Sequence, residues 1–254
     1  MRKVSLATTC LFFALSVSAQ WSTHDGSPGS EQTLDTTGTA HPTPDYVGRR
    51  AEHRQKFMLT LRGGWSFMTG RNHSPIEEVD SYKAALGKGH HLLAEAAYFT
   101  HKDLGIGLRM NAFRTRGGIE ITEWSQLGAR TGMMSDDILT AFIGPSLYGR
   151  MYTADQNTVI MASIAMGRMF YRNKGVYFDP YTEKGSAMGV SYGFSMDRMI
   201  CDKLAIGASF SHSFSTLKQL EMHTDGRKMI VPLTVAERRR LSRIDLSLGI
   251  QRYF

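Results

Sequence analysis

The chain is 254 residues long with a formal net charge of +7, and it combines 25 glycines and 15 methionines with only two cysteines. Two cysteines exclude a disulfide-built scaffold, and no segment offers the roughly 18 consecutive apolar residues of a membrane-crossing helix. The basic excess is spread along the sequence, which suits a solvated surface or contact with anionic lipid headgroups and sugar phosphates.

At the amino-terminal end, Arg2 and Lys3 precede an apolar run over 6–17 that closes on the small residues Val17-Ser18-Ala19. This charge, apolar stretch and cleavage site form a secretory leader, so residues 1–19 are expected to be removed. Cys10 lies inside the apolar run instead of behind it, which argues against a lipoprotein anchor. Its loss leaves Cys201 alone, a bystander at a turn that has no partner for an internal disulfide. Export also argues against nucleic acid as a partner. Residues 20–55 are rich in Thr, Ser, Gly, Pro, His and Asp, with Trp21 and Tyr46 as their only aromatics. Such a stretch buries too little apolar surface to order itself and is expected to be a disordered tether.

From residue 56 onward, large apolar residues alternate with small polar ones in eight places. The first run, 56–70, sets Phe57, Leu59, Leu61, Trp65 and Phe67 on one face against Thr60, Arg62 and Ser66. In the second, 91–100, Leu92, Ala94, Ala96 and Tyr98 oppose Glu95. After the tight turn His101-Lys102-Asp103, the third sets Leu104, Ile106, Leu108 and Met110 against Gly105, Gly107, Arg109 and Asn111. The fourth, 138–152, contains Thr140, Ser146, Tyr148 and Arg150 on its polar face, and Pro145 predicts a bulge or bend there. The fifth covers 158–171, the sixth 187–196 and the seventh 204–217. The eighth is 243–254, with Leu246, Leu248, Ile250 and Phe254 on its apolar face.

Short turns near 101–103, 153–157 and 197–203 alternate with polar connections over roughly 70–90, 115–137, 172–186 and 218–241, the rhythm of a membrane barrel. A soluble barrel shares the alternation but requires a large apolar interior row and a charged exterior. Here the polar row is Gly, Ser, Thr and a few charges, small enough to fill a narrow tube, while the apolar row is nearly free of charge. The expected fold is all-β: an eight-stranded antiparallel transmembrane β-barrel over 56–254.

Tyr98-Phe99-Thr100-His101-Lys102-Asp103-Leu104-Gly105-Ile106-Gly107-Leu108, Ile143-Gly144-Pro145-Ser146-Leu147-Tyr148 and the 246–254 ending carry a family likeness. In these segments the chain resembles the small outer-membrane β-barrel domain family of Gram-negative bacteria, of the OmpX, OmpA-barrel and OmpW type, over nearly all of 56–254. The resemblance implies a monomer in the bacterial outer membrane, surrounded by lipid and lipopolysaccharide, with short turns and chain ends on the periplasmic side. It also implies insertion by the barrel-assembly machinery, which would read Leu246, Leu248, Ile250 and Phe254. Arg252 departs from the pattern, because an aromatic or apolar residue is usual two positions before the terminal Phe. Members of the family include adhesins, narrow channels, structural barrels and enzymes.

Arg62, Glu95 and Arg109 lie on three successive polar faces, each about six residues from the same end of its strand, so opposite charges are positioned to pair across neighbours. An Arg62-Glu95-Arg109 ladder is expected, extended by Asp245 and Arg150, with Tyr148 donating a hydrogen bond. Such a ladder either plugs the interior or lines an ion conduit. Barrel lipid A deacylases set a His and a Ser on one strand face. In Ser211-His212-Ser213, alternation puts His212 beside Phe214 and the serines on the other face. Asp136-Asp137 reads as a solvated strand start, and His90, His91 and His101 lack metal-ligand spacing. No cofactor is expected. In the last connection, Arg238, Arg239 and Arg240 suit bidentate contact with lipopolysaccharide phosphates. The expected role is structural or surface-interacting and non-enzymatic. The alternatives are a narrow transport barrel for small apolar or ionic solutes and a lipid A-modifying enzyme.

Overall fold

A computed structural model describes residues 55–70, 77–125, 128–224, 227–235 and 238–254. The expected leader at 1–19, and all but the last residue of the 20–55 segment, lie outside the described residues. The elements in chain order are β1 (Phe57–Met68), α1 (Glu77–Leu86), β2 (Lys88–Phe99), β3 (Leu104–Ser125), β4 (Gly128–Tyr152) and β5 (Thr158–Tyr177). They continue as β6 (Asp179–Cys201), β7 (Leu204–Leu217), β8 (Gln219–Thr224), β9 (Arg227–Pro232), β10 (Arg239–Arg240) and β11 (Arg243–Tyr253).

Strands β1 to β7 pair antiparallel in sequence order, and β11 closes the ring between β7 and β1. Eight strands therefore form a barrel with no free edge in its wall, the arrangement that satisfies backbone groups in hydrocarbon. Among the described residues no helix is long and apolar enough to cross a membrane. The outward row is the apolar one: Leu61, Trp65, Leu92, Ile106, Leu147, Phe194, Ile206 and Leu248 are all exposed. The inward row holds Arg62, Ser66, Glu95, Arg109, Ser191, Ser211 and Asp245, all buried.

Much of the expected polar connections is not loop. β3 and β4 run on as one hairpin as far as Ser125↔Gly128, and β5 and β6 as far as Tyr177↔Asp179, where Phe178 turns the chain at φ 58°. Above the apolar band the outward row no longer has to be apolar. Alternation therefore fades at Arg114, Arg116 and Glu120, while the ladder of backbone hydrogen bonds continues. The 70–90 connection contains α1, and the 218–241 connection carries the hairpin β8–β9, which extends the sheet from β6.

Pro145 makes no bulge. Only Gly144 and Pro145 drop out of pairing with β5, and the register is the same on both sides, from Ile143↔Arg168 to Ser146↔Ala165. A side chain on Gly144 would bring its Cβ to 2.7 Å from the Gly167 Cα, so two facing glycines let β4 and β5 approach closely across the lapse. The register shift falls instead between Met199 and Cys201, beside a turn that shrinks to Asp202-Lys203.

The bore of an eight-stranded barrel is just wide enough for side chains to fill. At the short-turn end Met58, Phe99, Tyr148, Val159, Met161 and Tyr253 pack together inside, and toward the long-hairpin end Phe142, Met169, Tyr171, Leu217 and Leu220 do the same. The polar row is thus a layer between two apolar ones.

Candidate functional site

Three ion pairs occupy the polar layer. Arg62 on β1 reaches across the bore to β6, where its Nη2 lies 2.8 Å from Asp197 Oδ2, and it also donates to Gln251 Oε1 at 3.2 Å. Gln251 accepts from Thr60 at 3.1 Å, and Asp197 accepts from Ser195 at 2.9 Å. Glu95 stands directly opposite Arg109 in the β2–β3 register, with Arg109 Nε 3.7 Å from Glu95 Oε1. Tyr148 donates to the same oxygen at 3.3 Å, and Arg109 Nη1 donates to Ser163 at 2.8 Å. Arg243 and Asp245 form the third pair at 3.2 Å. Ser66 and Ser211 donate to Asp245, while Arg243 donates to Thr140 and Asn111.

Three guanidinium groups thus meet three carboxylates, which suits a narrow interior in which an unpaired charge costs several kcal/mol. The void beside Glu95 and Arg109 measures about 10 Å³, close to the minimum for a single water.

This arrangement corrects the expected ladder. Arg62 pairs with Asp197 and not with Glu95, because β1 sets Thr60, not Arg62, opposite Glu95. Asp245 belongs with Arg243. Arg150 forms none of these three ion pairs. Its Nε donates to Lys102 O at 3.0 Å and its Nη atoms to Gln55 O at 3.2 Å, with the guanidinium 3.6 Å over the Phe99 ring at the short-turn mouth. Asp197 and Arg243 join the network although neither belongs to the expected ladder. Each continues the inward alternation of its strand, Asp197 after Ser191, Gly193 and Ser195, and Arg243 before Asp245 and Ser247.

Beyond the apolar band a second polar cluster ties α1 to the hairpins. Asp136 is not a solvated strand start. Its carboxylate accepts from Tyr82 at 2.8 Å, from Tyr181 at 2.8 Å and from Asn173 at 2.5 Å. Burial, reinforced by the hydrogen bond to Asp136, holds the Tyr82 hydroxyl well above its ordinary pKa, so it remains a donor. Asp137, on the opposite face, takes a bidentate contact from Arg114 at 2.9 and 2.7 Å. Arg239 is bidentate to Glu183 at 2.5 and 2.8 Å and donates to Tyr171 at 2.6 Å, whereas Arg240 is exposed. His212 faces outward and shares a 2.7 Å hydrogen bond with the Tyr192 hydroxyl. Among the described residues no group of three His, Cys, Asp or Glu is arranged to hold a metal ion. Leu246, Leu248, Ile250 and Phe254 all lie on the exterior of β11 and the residue that follows it.

No protein-family model matches the sequence, and no curated protein does. Among solved structures the chain is similar to a major outer membrane protein from Thermus thermophilus, at 10% identity and a TM-score of 0.51, covering 78% of this chain and 99% of that one. It is also similar to Neisserial surface protein A, at 11% identity, covering 78% and 97%, with a TM-score of 0.45. The outer membrane protease OmpT from Escherichia coli aligns at 6% identity over 78% and 97%, with a TM-score of 0.46. Identities this low speak to fold alone. With its closed ring and apolar exterior, the chain has the fold of a small outer-membrane β-barrel.

Proposed function

We propose that the protein is a closed, monomeric barrel with a structural and surface-interaction role and no enzymatic activity. The filled lumen is the observation that carries this reading. Arg62–Asp197, Glu95–Arg109 and Arg243–Asp245 lie between two apolar layers, so a solute crossing the bore would have to separate buried charges. An apolar solute would need a lateral opening instead. The paired register supports none among the described residues: the lapse at Gly144 and Pro145 is where two glycines draw their strands together, and the shift between Met199 and Cys201 lies beside the Asp202-Lys203 turn at the end of the wall.

The surface role falls to the long hairpins, which barrels of this kind present outside the cell. Strand β9 pairs with β8 alone, and it carries Met229 and Ile230 at 60% and 65% exposure. A free strand edge with apolar side chains is suited to capturing an extended segment of another protein. Lipopolysaccharide phosphates suit Arg240, the exposed member of the expected trio, while Arg239 is committed to Glu183.

Planar-bilayer recording of the refolded full chain tests the reading. Wild-type protein should give no unitary conductance, and a stable conductance would overturn the closed-barrel function.

A further inference from the structure

The exterior of a barrel wall in lipid is ordinarily an even row of large apolar side chains. On β2 this row is interrupted by two adjacent outward alanines, Ala94 and Ala96. The β-ladder sets each alanine between two large residues. Ala96 has Leu59 on one side and Leu108 on the other, and Ala94 has Leu61 and Met110. The alanines are therefore the floor of a trough running along the strand, and its walls are the side chains of β1 and β3. The trough is open along its outer side and holds about 430 Å³.

At its short-turn end the trough is bordered by Arg252 and Phe254. Arg252 is the residue at odds with the terminal pattern, and it points outward into the face meant for lipid. It stands opposite Leu59, on the cross-strand row that continues to Ala96, about 10 Å away across two strand spacings. Its guanidinium lies 4.9 Å from the Phe254 ring centroid, and among the described residues no carboxylate is within ion-pair distance of it. A cation at the edge of an apolar band turns its charge toward the headgroup layer.

We infer that this trough is a binding site for one glycerophospholipid of the leaflet on the short-turn side. Arg252 meets the headgroup phosphate, and one acyl chain lies along the Ala94–Ala96 floor. The charge decides the occupant. A second barrel would present its own apolar exterior to a guanidinium that has no carboxylate partner among the described residues, whereas a phosphate offers it paired, charge-assisted hydrogen bonds. The alanine floor accommodates a straight chain where large side chains on β2 would exclude it. The inference rests on the barrel lying in a bilayer and is independent of whether its lumen conducts.

Native mass spectrometry tests it on the full chain, refolded into vesicles of phosphatidylethanolamine and phosphatidylglycerol and released in mild detergent. Wild-type protein should retain one phospholipid. Filling the floor with Ala94→Leu/Ala96→Leu should lower retention about ten-fold, as should removing the charge with Arg252→Gln, whereas Arg252→Lys should keep most of it. Ile164→Ala, on the exterior of β5 and away from the trough, should retain lipid as wild type does. Heat-modifiable gel mobility establishes that each variant is folded. Equal retention by all folded variants means annular lipid only and overturns the site. A lipid-free dimer of wild type that the alanine-to-leucine variant cannot form also overturns it, because the trough would then be a protein interface.

Discussion

Arg62 and Asp197 are 135 positions apart in sequence, yet their side chains meet at 2.8 Å across the bore with neither exposed to solvent. The pair links β1 to β6, which are three strands apart in the ring by way of β7 and β11, and so braces the wall across the bore. Removing one partner strands the other in a medium that penalises an isolated charge. Asp197→Ala is therefore expected to destabilise the barrel by about 3–5 kcal/mol, and Arg62→Met/Asp197→Leu to recover most of that loss. Urea titrations followed by heat-modifiable gel mobility measure both. A double variant no more stable than Asp197→Ala alone would show that the pair is not the source of the loss.

The wall pinches where Gly144 faces Gly167. A Cβ on Gly167 would lie 2.1 Å from Ile143 O and 2.5 Å from Gly144 Cα, both backbone atoms that cannot swing aside. Gly149, on the same strand β4, has open space at the equivalent point. Gly167→Ala should cost about 1–3 kcal/mol or more through overpacking, and Gly149→Ala should be near neutral. Comparing their unfolding midpoints checks the difference, and equal midpoints would refute the close approach.

The eight-stranded ring and the faces of its strands were legible in the sequence because lipid imposes a strict rule on the outward row, and Leu59, Leu61, Trp65, Leu246 and Leu248 obey it. The rule stops where the lipid stops. The extended hairpins of β3–β4 and β5–β6 therefore read as polar connections, and Asp136 as a solvated residue. Pairing inside the bore was legible only in part. Glu95 and Arg109 are direct cross-strand neighbours, which alternation and a hairpin turn predict. Arg62 and Asp197 are joined by curvature, and no local pattern states which strands face each other across a closed ring.

Helix α1 is held to the barrel by the Tyr82 hydroxyl on Asp136, with a second, longer contact from that hydroxyl to Gly117 O at 3.3 Å. Tyr82→Phe deletes the donor and keeps the ring, so about 1 kcal/mol of local stability should be lost. Backbone amides of 77–86 should exchange several-fold faster in deuterium while the wall strands are unchanged. Unchanged exchange over α1 would mean that its apolar contacts, Leu86 included, hold it without the hydroxyl.

The hairpin β8–β9 carries a pH dependence of its own. Lys228 at 2.9 Å, and then His223 at 2.6 Å, stabilise the Glu221 carboxylate and lower its pKa from an ordinary 4.5. The group is charged more readily in the folded hairpin than in the open one. Its stabilisation is therefore complete above 4.5 and lost as pH falls through the lower, folded-state value. Amide exchange over 219–232, corrected for intrinsic rates, should rise on acidification through that window, and Glu221→Gln should abolish the change. Persistence of the change in Glu221→Gln would assign it to another group.

Orientation follows from placing Cys201 and Ile230 at opposite ends of the molecule. Cys201 is exposed beside the Asp202-Lys203 turn, and Ile230 is exposed on the hairpin that projects from β6. Short turns of such barrels face the periplasm and long hairpins face outward. A membrane-impermeant maleimide applied to intact cells should therefore leave Cys201 unlabelled until the outer membrane is permeabilised. Ile230→Cys in a Cys201→Ser background should label at once. The reciprocal result would invert the barrel, move the trough beside Ala94 to the outer leaflet and remove the surface role from β9.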